Sequence, residues 1–144
     1  MGQGIVALAS DHAGVELKSA LKSALEAKGR TVLDLGPFDS ESVDYPDYAD
    51  ALAKALGEGR AACGIAVCGT GIGISIALNR HRHVRAALCH DGTSARLARE
   101  HNDANVLALG ARLIGVEVAK ECAEVFLSTD FAGGRHQRRV AKLA

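Results

Sequence analysis

Short apolar runs alternate with longer amphipathic stretches along the whole of this 144-residue chain, and nothing else in the sequence constrains the fold as strongly. Ile5-Val6-Ala7-Leu8-Ala9 is apolar throughout and too short for a helix, so it reads as a buried strand. Residues 13–28 then carry Val15, Leu17, Leu21 and Leu25 at helical spacing and stop at Gly29, a residue that ends helices readily. Residues 31–35, 63–68, 84–89 and 105–109 read as four further strands. Helices are expected from about Pro46, since proline is tolerated in a first turn, to Leu56. Others are expected over 73–79, from Thr93 to about His101, and over 116–127, with a basic tail after Gly133. Strands of about 5 residues separated by helices of about 12 build βαβ units. The expected fold is therefore one α/β domain over residues 1–144, a three-layer αβα sandwich around a parallel sheet.

Composition narrows the possible partners. Formal net charge is +0, so no global field favours nucleic acid or an anionic membrane, and any anion site must be local. No apolar run approaches the roughly 20 residues of a membrane span, and residues 1–10 lack the pattern of a signal peptide; the cytoplasm is the expected compartment. Aromatics make up 3%, and the remaining apolar content, mostly Ala, Val, Leu and Ile, suits helices packed closely on a sheet. Cys63, Cys68, Cys89 and Cys122 form no C-x-x-C pair and no zinc-type spacing with histidine. No metal or other cofactor is expected, and at least three of the four thiols read as small buried apolar groups.

In an open parallel sheet, ligands bind beyond the carboxyl ends of the strands, which directs attention to the residues that follow each one. After the first strand stands Ser10-Asp11-His12-Ala13-Gly14; Asp11 either caps the next helix or, with His12, binds a substrate hydroxyl. After the third stands Cys68-Gly69-Thr70-Gly71-Ile72-Gly73. Three alternating glycines let the backbone approach a ligand, and the helix that follows points its amides at the same place. This is no P-loop, since no Lys-Ser/Thr follows, and position 74 is Ile where a dinucleotide fingerprint needs Gly. Cys68 is either one more buried apolar residue or a thiolate held by that nest of amides. His101, in Glu100-His101-Asn102-Asp103-Ala104-Asn105, is either a helix-terminal cation or, beside an anion site, an acid–base group. Asn102 could be a left-handed cap. Arg112 follows the fifth strand, and Arg135 and Arg139 share a face if the tail is helical, an arrangement suited to a phosphate. Arg80-His81-Arg82-His83 reads as a solvated loop.

A base, an amide nest, a histidine and a phosphate clamp are the parts that aldose–ketose isomerisation needs. A base moves a proton between C1 and C2, amides stabilise the enediolate, and the clamp fixes the register. No redox cofactor or metal is required for it.

Five stretches, in order, resemble the ribose-5-phosphate isomerase B family, the group that also contains galactose- and allose-6-phosphate isomerases. They are Ser10-Asp11-His12-Ala13-Gly14, Ser42-Val43-Asp44-Tyr45-Pro46-Asp47-Tyr48-Ala49, Cys68-Gly69-Thr70-Gly71-Ile72-Gly73-Ile74-Ser75, His101-Asn102-Asp103-Ala104-Asn105-Val106 and Gly133-Gly134-Arg135-His136-Gln137. The resemblance covers essentially the whole chain. It implies a five-stranded Rossmann-like sheet, a sugar phosphate as the small-molecule partner, no cofactor, and a homodimer or dimer of dimers with sites at the subunit interface. It implies Cys68 as the base, His101 as the proton donor in ring opening, and Thr70 among the catalytic groups of the loop. Gly69, Gly71, Ile72 and Gly73 would surround the enediolate, Asp11, His12 and Asn102 would contact the sugar, and Arg112, Arg135 and Arg139 would hold the phosphate. Some relatives place a glutamate base in the glycine loop; here residues 74–76 read Ile-Ser-Ile, so the cysteine version applies.

Overall fold

The computed structural model describes residues 4–144. Five strands form one parallel sheet in the order β2-β1-β3-β5-β4, namely β1 (Val6–Ser10), β2 (Val32–Asp34), β3 (Cys63–Cys68), β4 (Ala86–Leu88) and β5 (Val106–Gly110). The central register sets Ser10 against Val67 and Cys68 against Gly110, so the carboxyl ends of β1, β3 and β5 lie level.

The strands alternate large and small side chains, and that alternation separates the two helical layers. Val6, Leu8, Ile65, Val67, Leu107 and Leu109 face α1 (Val15–Ala27), α4 (Gly92–Asn102) and α5 (Val116–Ser128). Ala7, Ala9, Ala66 and Ala108 face α2 (Tyr45–Gly57) and α3 (Ile72–Leu78). Successive strand residues point to opposite faces. A face lined with alanine brings its helices closer to the sheet, and Ala49, Ala53 and Leu52 of α2 fill it from above. Leu52 fits so closely that a Cβ at Gly64 would lie 2.7 Å from its Cδ1. The expected three-layer α/β sandwich is the fold observed.

The local departures have identifiable causes. The expected first helix opens with a separate 3-10 turn over His12–Gly14, capped by Asp11. Gly29 takes φ +83° just past the end of α1, the left-handed conformation that glycine adopts without strain. β4 is shorter than its apolar run because asparagine side chains take over its backbone groups. Asn79 bonds both the amide and the carbonyl of Ala86, and Asn105 Oδ1 accepts from the Arg85 amide. Arg80, Arg82 and His83 are exposed, as expected of a solvated loop, but the loop is also braced on α2: His81 Nε2 lies 2.8 Å from Asp50 Oδ1, and His83 Nε2 donates to the Ala53 carbonyl at 2.7 Å. The basic tail is helical, α6 (Arg135–Ala141), and packs on α4.

Candidate active site

Cys68 falls on the small-residue face and is 4% exposed. Just beyond it the chain turns through Gly71, at φ +78°, whose amide donates to Cys68 Sγ at 3.1 Å. A Cβ at Gly71 would lie 2.5 Å from Leu88 Cδ1 and 2.9 Å from the Leu109 carbonyl carbon, so glycine is required there by both conformation and space. An amide aimed at sulfur favours negative charge on it. Thr70 Oγ1 accepts from the Ile72 amide at 3.2 Å; the hydroxyl thereby shapes the loop, and an oxyanion seated there would compete with it for that amide.

Neighbouring elements enclose this loop. Arg112 donates its amide to the Gly69 carbonyl at 2.9 Å, and its guanidinium lies where a Cβ at Gly69 would come within 3.3 Å of Nη1. Tyr45, at the start of α2, covers Gly73 so closely that a Cβ there would lie 2.7 Å from Cζ. From β1, the Asp11 amide donates to the Val67 carbonyl at 3.0 Å. One Asp11 carboxylate oxygen accepts from the Ala13 amide at 2.9 Å, so the cap is real, and the second oxygen is left over from it. His12 Nδ1 accepts from the Val43 amide at 3.1 Å, which puts the proton of the neutral ring on Nε2. Asp11 and His12 after β1, residues 69–73 after β3 and Arg112 after β5 thus lie at the same carboxyl edge of the sheet as Cys68.

A buried ion pair holds the loop that carries Val43. Lys18 Nζ bonds Asp34 Oδ1 at 2.6 Å, with side chains 3% and 11% exposed, and the same oxygen accepts from the Gly36 amide at 2.9 Å. Lys18 also sits 5.1 Å from the Phe38 ring centroid. The other three thiols have different surroundings. Burial pushes Cys63 and Cys89 above the ordinary thiol value, and burial followed by the proximity of Cys89 pushes Cys122 up to about 11. They remain neutral packing groups.

The expected neighbourhood of Cys68 and His101 does not exist within one chain. α4 leaves the carboxyl end of β4 and must return to the amino end of β5, so His101 and Asn102, in its last turn, lie at the opposite edge of the sheet from the thiol. β5 separates the two edges by about 13 Å, at about 3.3 Å per residue. This second pole has its own framework. Asp103 takes φ +46° and accepts from Arg99 at 2.9 Å and from Arg85 at 3.2 Å. Arg99, 4% exposed, also donates to the Ala104 and Thr129 carbonyls. The His136 ring of α6 stacks on His101 with centroids 4.3 Å apart. Arg135 and Arg139 are exposed on the same short helix. A cleft of about 440 Å³ opens beside Asn102, lined also by Arg85 and Asn79. Tyr45, Asp103 and His136 stood inside the motifs without a role of their own; only their packing assigns them one.

Among the described residues no three His, Cys, Asp or Glu side chains converge to hold a metal, and no helix is long and apolar enough to cross a membrane. A thiol with a loop amide on its sulfur, at the carboxyl edge of an αβα sheet, is a setting for thiol-based catalysis, and comparison with known proteins makes the class an isomerase. The family model described as Ribose/Galactose Isomerase matches residues 6–143. The chain belongs to that family. It is 45% identical over 135 residues to ribose-5-phosphate isomerase B of Escherichia coli (strain K12), covering 94% of this chain and 91% of the relative. It is 44% identical over 140 residues to the D-erythrulose-4-phosphate isomerase of Pectobacterium atrosepticum, covering 96% and 91%. The crystal structure of a ribose 5-phosphate isomerase from Thermotoga maritima superposes with a TM-score of 0.95 at 52% identity, covering 96% of each chain.

Proposed function

We propose that this isomerase interconverts ribose 5-phosphate and ribulose 5-phosphate through an enediolate, with Cys68 as the base. The observation that carries the reading is the Gly71 amide on Cys68 Sγ, inside a loop walled by Arg112 and Tyr45. The thiolate takes the C2 proton of the open-chain aldose, negative charge develops on the C1 oxygen, and loop amides stabilise it there. A proton passes from the C2 hydroxyl to the C1 oxygen, Cys68 returns its proton to C1, and the C2 oxygen becomes the ketone. His101 gives a proton to the ring oxygen in the preceding opening step, and Arg135 and Arg139 hold the phosphate. A binding module without catalysis would need neither the thiol nor His101. A four- or six-carbon aldose phosphate is the alternative substrate, supported by the relative named for erythrulose 4-phosphate. Comparing kcat/KM across phosphorylated four-, five- and six-carbon aldoses tests the choice; the highest value should fall on ribose 5-phosphate, and a higher one on another length would replace it.

The same proposal makes the enzyme a homodimer, or a pair of such dimers, in which the α4–α6 pole of one copy meets the Cys68 pole of the other. Two features support this. The thiol and His101 stand at opposite edges of one chain, and the thiol pole leaves apolar surface uncovered. Ile72 and Ile76, four apart on α3, are 49% and 52% exposed, and Leu113 beside Arg112 is 55% exposed. A two-fold axis then makes two identical composite sites. Mixing Cys68→Ala with His101→Ala subunits should restore about a quarter of wild-type activity, because half the dimers are mixed and each mixed dimer has one intact site. No recovery after verified subunit exchange would refute the composite site. The four unpaired thiols fit a reducing, cytoplasmic setting.

A further inference from the structure

His136 has no part in the reaction as proposed, yet its placement at the second pole is well defined. Its imidazole lies nearly flat on that of His101, with centroids 4.3 Å apart and planes within 16°. The segment leading into α6 is fastened to α4 by the Ala132 amide donating to the Glu100 carbonyl at 3.1 Å, and the chain turns through Gly133 and Gly134 at φ +66° and +57°. The stack is therefore built by the fold of the tail rather than by a free side chain. The charged groups that face His136 are His101 and Glu100 from α4, and Arg135 and Arg139 from α6 itself. Desolvation, and then the positive charges of His101, Arg135 and Arg139, hold its pKa below the ordinary 6.5.

We propose that His136 is a positioning residue for ring opening: its ring, stacked flat on that of His101, is the platform that fixes the plane of the His101 imidazole. The inference rests on the reading of His101 as the ring-opening acid. In that step the C1–O4 bond of the furanose breaks, its electron pair goes to O4, and O4 takes the proton from His101. The anomeric hydroxyl loses its proton to water as the aldehyde forms. Transfer requires the His101 N–H to lie along the lone-pair direction of O4. Rotation about the outer side-chain bond of a histidine is broad and soft, so an unsupported ring is often misaimed. A flat neighbour removes that freedom.

The test compares two reactions of the dimeric enzyme in wild type, His136→Ala, His136→Phe and His101→Ala. One is net conversion of ribose 5-phosphate, which begins with a closed ring. The other is wash-in of solvent deuterium at C1 of ribulose 5-phosphate, whose 5-oxygen is phosphorylated and cannot close a furanose, so that only the thiol step is read. His136→Ala should lower kcat for conversion roughly 10-fold, with KM and deuterium exchange changed less than about twofold. His136→Phe, which restores a flat ring, should recover most of the lost kcat. Unchanged kcat in His136→Ala, an equal loss in both reactions, or a Phe variant as impaired as the Ala variant would each overturn the platform role. His101→Ala separates the two levels of the argument. If it loses exchange as much as conversion, or neither, the ring-opening role of His101 falls and the inference with it. If it loses conversion selectively while His136→Ala does not, only the role of His136 falls.

Discussion

The two poles of the molecule are built from different materials. At the Cys68 pole the working groups are mostly backbone: amides of a glycine turn, the Asp11 amide on Val67, the Val43 amide on His12. At the His101 pole they are side chains: a histidine stack, two exposed arginines, and an aspartate clamped between Arg85 and Arg99. Backbone amides are fixed by the sheet and cost little reorganisation when charge develops beside them. Long cationic side chains on a short terminal helix suit a different task, holding a phosphate whose charge does not change during the reaction. On the proposed mechanism, the difference puts proton transfer at carbon at the first pole, and ring opening with phosphate binding at the second.

That division makes the two poles respond differently to substitution. Cys68→Ala should cut kcat by about 10² or more while substrate binding persists, the scale of a lost general base; steady-state kinetics with a binding measurement checks it, and near-normal turnover would end the assignment. Gly71→Ala tests whether the first pole depends on backbone geometry. A left-handed alanine costs about 1–2 kcal/mol, and contact with Leu88 and the Leu109 backbone adds to it. Chemical denaturation should show about 2–3 kcal/mol lost in total. Full stability would mean that the turn can be rebuilt without glycine. Arg135→Ala probes the second pole most gently. KM should rise about 10-fold with kcat nearly unchanged, and a fall in kcat at constant KM would place Arg135 in the chemical step instead.

Much of the first pole could be read directly from the residues. Cys68-Gly69-Thr70-Gly71 at the end of an apolar run announces a turn, an amide nest and a thiol, because glycine spacing and strand ends act over a few residues. The Asp11 cap was visible for the same reason. The second pole was legible only as a set of residue types. His101 looked adjacent to the anion loop because both follow elements of the same sheet, but an 11-residue α4 necessarily delivers it to the far edge. Arg112 stands 44 positions after Cys68 in the sequence, yet β5 pairs with β3 and brings it to Gly69. The exposure of 80–83 was legible, but its bonds to Asp50 and Ala53 were not, because those partners belong to a helix about 30 positions earlier.

By itself the sequence determined the class of fold and the thiol turn. Both follow from periodicities and steric rules that operate within one element. Tertiary structure alone decided which residues share a pole: Arg112 with Cys68, His136 with His101, and the thiol apart from the histidine. Strand order and helix direction set those pairings, and both emerge from burying the whole core at once rather than from any local run of residues.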